Sequence, residues 1–314
     1  MKILIVANQN TGKMSPFVVE QMEALRKEGC EVETYGVVGH GVLGYLKNFP
    51  ALKDKIKECK PDIVHAHYGL CGMLATLQND VPVVITFHNG ETLSFMANVI
   101  SSVAAKRAKY VIYVAEHIRK LSYLKARNYA IIPCGVNLED INIITQVEAR
   151  RELRFDAHKK YILFGGAFAN LRKNYPLLRN AVDTLDNKDN IECIEMKGLN
   201  RLQITKLMCA VDCFALPTKS EGSPQALKEA MACNCPIIAT DVADIKHLLG
   251  DCLGHYICSF EPSDVAAKLK LAFDFNKRTN GREKIIELGL SNDLIAKKLM
   301  RIYRKINDEK ITDY

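Results

Sequence analysis

The 314-residue sequence predicts an α/β fold made of two consecutive doubly wound units. Short apolar runs rich in Val, Ile and Tyr alternate with amphipathic segments from end to end. The runs are continuous rather than alternating, as expected of parallel strands covered on both faces. The pattern also restarts after a polar, charged stretch from residue 135 to 160, and single cores stop growing at roughly 250–300 residues.

In the first set, Ile3–Ala7 reads as a strand. Residues 15–29 follow as a helix, with Ser15 as cap, Pro16 at the first helical position, Phe17, Met22 and Leu25 facing inward, and Gly29 as the stop. Further strands are expected at 31–37, 62–68, 81–87, 110–114 and 130–133. The second set comprises 161–164, 191–196, 213–216, 236–239 and 254–258. Residues 1–145 and 146–290 are therefore assigned to two Rossmann-like domains. From 291 to 314, Leu294, Ile295, Leu299, Ile302 and Tyr303 recur at helical spacing, predicting a helix that crosses back to the first domain. Ligands of such sheets bind at the carboxyl ends of the strands, so both sets of ends are expected to face a central cleft.

Composition narrows the function. Hydrophobic residues make up 48% and charged residues 25%, an ordinary globular balance. No run reaches the ~20 apolar residues of a membrane span. The opening Met1–Val6 turns polar at Asn8 and reads as a buried strand, not a signal peptide. Eleven cysteines without a C-x-x-C read as reduced thiols in a cytoplasmic protein. Cys233 and Cys235 lack further metal ligands nearby, and no metal is expected. The net charge of +7 suits a phosphorylated small molecule or an anionic lipid surface. Nucleic acid is not expected, because aromatic residues do not interleave with the basic ones.

The segment Pro217–Thr240 carries the densest chemistry. A strand ends, Glu221 sits in the loop, and Gly222 permits close backbone approach. Ser223 can cap a helix opened by Pro224, whose free N–H groups suit phosphate or sugar oxygens. Glu229, about two turns in, can bind paired hydroxyls; on spacing alone both glutamates read equally as surface acids of a capped helix. A second segment, Phe164–Asn174, ends a strand in Gly165 and Gly166 and adds Arg172 and Lys173. Glycine amides and fixed cations suit a pyrophosphate, although a β-turn with a solvated basic pair also fits. His65 and His67 share a strand face, as a metal site or, more simply, as buried structural groups. His88 follows a strand and precedes Asn89-Gly90-Glu91.

These motifs resemble the retaining glycosyltransferases of family 4, which have the GT-B fold. Glu221 to Glu229, continuing through Ala230-Met231-Ala232 and Pro236–Thr240, is similar to their E-x7-E signature. Asp62–His67, Thr86-Phe87-His88 and Pro133–Asn137 resemble three further family motifs. The resemblance implies that Glu221, Gly222, Ser223 and Pro224 hold the hexosyl group, although Pro224 has no N–H to offer. It implies that Glu229 binds the ribose and that His88 lies beside the transferred sugar. Gly165, Gly166, Arg172, Lys173, Gly198 and Gln225 complete the donor-binding set, with His88, Glu221 and Lys173 as the catalytic group. Ala167 stands where the family carries a basic residue, and Arg172 is the candidate substitute.

The implied reaction is transfer of a hexosyl group, with retention, from a UDP- or GDP-sugar to a glycan or lipid-linked acceptor in surface polysaccharide synthesis. No cofactor is implied, and no D-x-D at a strand end calls for a divalent ion. A non-catalytic nucleotide-sugar-binding protein and a nucleotide-sugar epimerase of the same fold are the alternatives. Peripheral attachment at the inner face of an anionic membrane is a further expectation. Leu43, Leu46, Phe49, Leu52 and Ile56 recur between Lys47, Lys53, Lys55 and Lys57, either as a bilayer-dipping face or as a helix covering the first sheet.

Overall fold

Among the described residues, eleven parallel strands form two separate sheets in the computed structural model of the chain, which describes residues 1–312, with side chains through residue 309. The first unit comprises Met1–Gly135 together with the C-terminal stretch from Asn292, and the second comprises Val136–Ser291. In the first unit the strands are β1 (Lys2–Asn8), β2 (Glu31–Val37), β3 (Ile63–His67), β4 (Val83–Phe87), β5 (Tyr110–Tyr113) and β6 (Tyr129–Ile131). Its helices are α1 (Pro16–Lys27), α2 (Gly41–Leu46), α3 (Phe49–Cys59), α4 (Gly69–Ala75), α5 (Phe95–Arg107) and α6 (Glu116–Leu121). The sheet order is β2-β1-β3-β4-β5-β6, so the strand order reverses beside β1 and β3. That switch point is where such sheets open a crevice.

The second unit starts with α7 (Gln146–Leu153), then β7 (Lys160–Phe164), α8 (Tyr175–Asp183), β8 (Ile191–Glu195), α9 (Arg201–Ala210), β9 (Cys213–Leu216) and α10 (Gln225–Ala232). It continues with β10 (Ile237–Thr240), α11 (Ile245–Leu249), β11 (His255–Cys258), α12 (Pro262–Phe275) and α13 (Gly281–Glu287). Its order, β11-β10-β9-β7-β8, reverses between β7 and β9. The last helix, α14 (Asn292–Thr312), lies in the first unit, against α1.

The division falls at 135/136, ten residues before the boundary expected from composition. The reason is backbone pairing that a polar stretch does not advertise. Val136 bridges to Ser291 and donates to the Leu290 carbonyl at 2.8 Å. Arg282 holds the Leu138 carbonyl at 2.7 Å and that of Ile141 at 3.3 Å. Gly135 meets the start of α14, where a Cβ would stand 2.9 Å from the Asn292 Cα.

Burial explains β3, whose five residues are all buried although two are histidines. His65 places Nδ1 2.5 Å from the Tyr303 hydroxyl of α14 and Nε2 2.7 Å from Thr86 Oγ1. Both ring nitrogens are thus satisfied, which is the condition for a polar ring in a core. Burial, and secondarily His67 and His88, hold its pKa well below the ordinary histidine range.

Residues 43–57 take the covering role rather than the bilayer-dipping one. Leu52, Ile56 and Cys59 sit in the core cluster of the first unit, and Phe49 packs against it. Pro50 occupies the first turn of α3, where its missing N–H is harmless, and interrupts nothing. Each buried Leu or Ile is worth about 1.5–3 kcal/mol there, so the face is not available to lipid. Leu43 alone of the five expected apolar residues is strongly exposed. Ser15 precedes α1 as expected, yet its hydroxyl bonds Tyr68 at 3.0 Å instead of capping the helix.

Gly135→Ala is expected to destabilise the chain by about 1–3 kcal/mol, because the added methyl meets backbone that cannot rotate away. Urea unfolding checks this; a loss below about 0.5 kcal/mol shows that the α14 junction yields.

Candidate functional site

The groups singled out by sequence gather at the carboxyl ends of strands, one cluster in each unit. In the first unit, His67 ends β3 and His88 follows β4. His67 Nδ1 lies 3.0 Å from His88 Nε2, with the rings stacked at 5.3 Å. Phe17 and Tyr68 flank the His88 ring at 4.9 and 4.8 Å. Phe17, expected in the core, is half-buried and serves this site instead. Cys134 Sγ approaches His88 Nδ1 at 3.7 Å.

Burial pushes the His67 pKa down to about 3, so the ring is neutral at ordinary pH and carries one proton. Its Nε2 is buried without a hydrogen-bond partner. The contact is satisfied either by His67 Nδ1–H donating to His88 Nε2 or by His88 Nε2–H donating to His67 Nδ1, and the first leaves only a lone pair of His67 Nε2 buried without a partner.

The turns beside this pair are strained. Tyr68 takes φ +74° with ψ 155°, and Asn89 φ +102°. Each such conformation in a residue with a Cβ costs about 1–3 kcal/mol and persists only where the surroundings impose it. Glu91 is the imposing group. Its Oε1 accepts from the Gly69 N–H at 3.2 Å and its Oε2 from the His88 N–H at 3.0 Å. It is 3% exposed, and burial raises its pKa to about 7 despite those N–H donors. Glu91, Tyr68, Ser15 and Asn8 line a pocket of about 320 Å³ at the switch point.

In the second unit, Gly165 and Gly166 end β7, and Lys173 folds back over Gly166, where a Cβ would stand 2.8 Å from its Cγ. Lys173 Nζ meets Glu221 Oε1 at 2.7 Å, and Arg172 Nη1 meets Oε2 at 3.4 Å. Arg172 also donates to the Ser220 carbonyl at 2.6 Å, tying the two loops together. Arg172, the candidate substitute for the basic residue absent at Ala167, thus reaches the same carboxylate as Lys173. Lys173 and Glu221 are nearly covered, at 14% and 8% side-chain exposure, so each depends on the other for its charge to be tolerated.

Helix α10 begins one residue later than expected. Pro224 occupies the cap position and Gln225 is the first helical residue. Ser223 does not cap it, and its buried hydroxyl has no hydrogen-bond partner. Glu229 is consequently the fifth helical residue, little more than one turn in. It pairs with Arg201 Nη2 at 3.0 Å. Arg201 was not legible as a site residue, since it lies 28 positions away. Only the Asn200–Gln203 capping box, which starts α9 at Arg201, leaves a trace in the sequence. Gly198 stands just before that box, at φ +70°. Among the described residues, no group of three His, Cys, Asp or Glu side chains could hold a metal ion.

Compared with known proteins, residues 24–140 match the Glycosyltransferase Family 4 model and residues 175–273 that of Glycosyl transferases group 1. A Bacillus subtilis protein assigned to teichuronic acid biosynthesis as glycosyltransferase TuaC is 24% identical over 62% of this chain and 57% of its own. The match therefore spans little more than half of that relative's length. The Campylobacter jejuni N,N'-diacetylbacillosaminyl-diphospho-undecaprenol alpha-1,3-N-acetylgalactosaminyltransferase is 23% identical over 91% of this chain and 89% of its own. Among solved structures, Anabaena HepE in complex with UDP aligns over 97% of this chain and 100% of its own, with TM-score 0.80 at 13% identity. That likeness establishes the fold as GT-B.

Glu91 sets a pH dependence of stability. Its folded pKa lies above the unfolded carboxyl value, so its contribution is full below about pH 4.5 and lost as pH rises through about 7. The loss is on the order of 3 kcal/mol. His65 and His67 act in the opposite sense, losing stability as pH falls below the ordinary histidine range. Glu91→Gln is expected to start about 1–2 kcal/mol less stable at pH 4.5, since an amide nitrogen cannot accept from a backbone N–H. The gap should close as pH rises. Denaturant unfolding from pH 4.5 to 8 decides it; a constant gap removes the titration from Glu91.

Proposed function

We propose that this chain, which belongs to the GT-B glycosyltransferases of the family 4 and group 1 type, transfers a hexosyl group from a nucleoside-diphosphate sugar to a lipid-linked or glycan acceptor. The carrying observation is the pairing of two cations and a carboxylate, Lys173, Arg172 and Glu221, at the switch point of the second sheet. The relative acting on an undecaprenol-linked sugar and the fold neighbour with UDP support a UDP-sugar and a lipid-linked acceptor.

In this reading the donor's pyrophosphate takes over the cations. Lys173 and Arg172 turn from Glu221 to the phosphate oxygens, and the free N–H groups opening α10 add their dipole. Glu221, released, accepts from hexosyl hydroxyls, with the buried Ser223 hydroxyl beside it. Glu229 accepts from both ribose hydroxyls while staying paired with Arg201. Negative charge grows on the departing phosphate, so the fixed cations favour the transition state over the ground state.

Retention follows in this scheme from attack on the leaving-group face, where a phosphate oxygen receives the acceptor proton. On the acceptor side, the pocket lined by Tyr68 and Glu91 lies at the switch point of the first sheet, and His88 stands next to it in the chain fold. Tyr68, whose pKa burial raises to about 12, stays a neutral hydrogen-bonding group throughout.

Glu229→Ala should weaken binding of UDP by about 2–4 kcal/mol, through two lost hydrogen bonds to a charged acceptor and an Arg201 left without it. Calorimetry measures this, and an unchanged affinity in a folded variant takes Glu229 out of the site. Lys173→Ala should instead lower kcat by about 100-fold or more while uridine affinity holds, since its charge answers the departing pyrophosphate. Steady-state transfer kinetics decide; a loss confined to KM contradicts the role.

A further inference from the structure

The surface of the first unit carries one apolar patch that no core explains. Leu93, Phe95 and Met96, at the start of α5, are 62%, 70% and 61% exposed. Leu121, Tyr123 and Leu124, at the end of α6 and beyond, are more than two-fifths exposed as well. The two segments form one surface, because Phe95 and Tyr123 touch with ring centres 5.7 Å apart.

The patch is held in place from beneath. Asn98 is 4% exposed; it donates to the Leu121 carbonyl at 2.8 Å and accepts from the Tyr123 N–H at 2.9 Å. Ser102 Oγ accepts from the Leu124 N–H at 3.1 Å. These buried polar groups dock the 121–124 loop onto α5 and present its apolar side chains outward. Such an arrangement is ordered before anything binds, so little ordering entropy is lost on contact.

Charge identifies the occupant. Lys120 and Arg127 are exposed beside the patch, while the Lys125 ammonium is tied to the Arg119, Lys120 and Ser122 carbonyls and helps hold the loop. Residues 92–130 hold seven lysines and arginines against one acid, Glu116, which Arg119 neutralises at 2.5 Å. Large exposed apolar patches mark a protein or a membrane contact, and lysine is depleted at protein–protein interfaces whereas bilayer contacts pair apolar side chains with basic ones. Apolar side chains that enter the acyl boundary while cations meet headgroups are the pattern of peripheral attachment. We propose that this face docks on an anionic phospholipid bilayer, with Leu93, Phe95, Met96, Leu121, Tyr123 and Leu124 entering the headgroup region and Lys120 and Arg127 meeting the phosphates.

The position has a use. Ala97 and Ser101, on the same α5, line the pocket that contains Glu91. A bilayer seated on Phe95 and Met96 therefore lies within one or two helical turns of that pocket. A lipid-linked acceptor reaches it without leaving the membrane. This last step rests on the proposed transfer reaction, whereas the docking surface stands on the patch alone.

Vesicle flotation tests the docking. The full chain is expected to float with phosphatidylglycerol vesicles at low salt, to stay behind with phosphatidylcholine, and to be released by high salt. Phe95→Ser with Met96→Ser should lower the bound fraction by about tenfold, and Lys120→Glu with Arg127→Glu comparably. Lys53→Glu with Lys57→Glu, on the covered helix α3, should change it little. Unfolding midpoints matching the wild type certify each variant, since all the altered side chains are exposed. UDP calorimetry on the same proteins reports the transfer reading separately, so loss of one leaves the other standing. The docking surface is overturned by wild-type protein that ignores anionic vesicles, or by a Phe95/Met96 variant that floats as well as wild type. It is equally overturned by sedimentation showing a wild-type dimer that the variant dissolves, which assigns the patch to a second copy.

Discussion

Parallel strands covered on both faces leave only their ends for polar work. In the inner strands β1, β4, β5, β7, β9 and β10 the residues are almost wholly apolar and buried, and the helices that cover them consume the faces. A ligand group can therefore be offered only from loops after the strands, and best where the strand order reverses and the loops diverge. His88 and Glu91 follow β4 at one such place, and Lys173 and Glu221 follow β7 and β9 at the other. The exception tests the rule. His65, inside β3, is tolerated because Tyr303 and Thr86 satisfy both of its nitrogens.

The loops carry a cost that the sheets offset. Tyr68 and Asn89 hold unfavourable backbone conformations, and Glu91 is buried with a pKa of about 7. These liabilities support one another. The Glu91 carboxyl spans the Gly69 and His88 amides, so the strain on either side of His88 is imposed by a single group. Few groups and much strain are characteristic of a site arranged before its ligand arrives.

The second unit solves a different problem. Neighbouring cations repel one another unless an anion lies between them. Glu221 pairs with Lys173 and Arg172, and Glu229 holds Arg201; in the proposed reading Glu221 occupies the place of the donor's pyrophosphate. In the proposed reaction Lys173 and Arg172 exchange Glu221 for the phosphates when the donor binds, while Arg201 stays with Glu229. The exchange keeps both cations compensated in both states, and Glu221 takes hexosyl hydroxyls in their place. It also places discrimination in the donor: a ligand without phosphates offers Lys173 nothing better than Glu221.

The local sequence located every strand, the inner ones by continuous apolar runs that report burial on two faces, and it marked the loops that carry Glu221, Lys173 and His88 and the helix that carries Glu229. It also predicted α14 from its spacing, because amphipathic periodicity is a local property. Contacts between distant positions were beyond it. The Arg201–Glu229 pair, the Glu91 staple and the division at Gly135 each join residues that no spacing rule links. The exposed side of a helix was also undecided by periodicity. The stripe at Leu52 and Ile56 and the residues Phe95 and Met96 are equally apolar in sequence. Tertiary packing covers the first pair with the β-sheet and leaves the second in solvent, because only the folded chain decides which apolar face finds a partner.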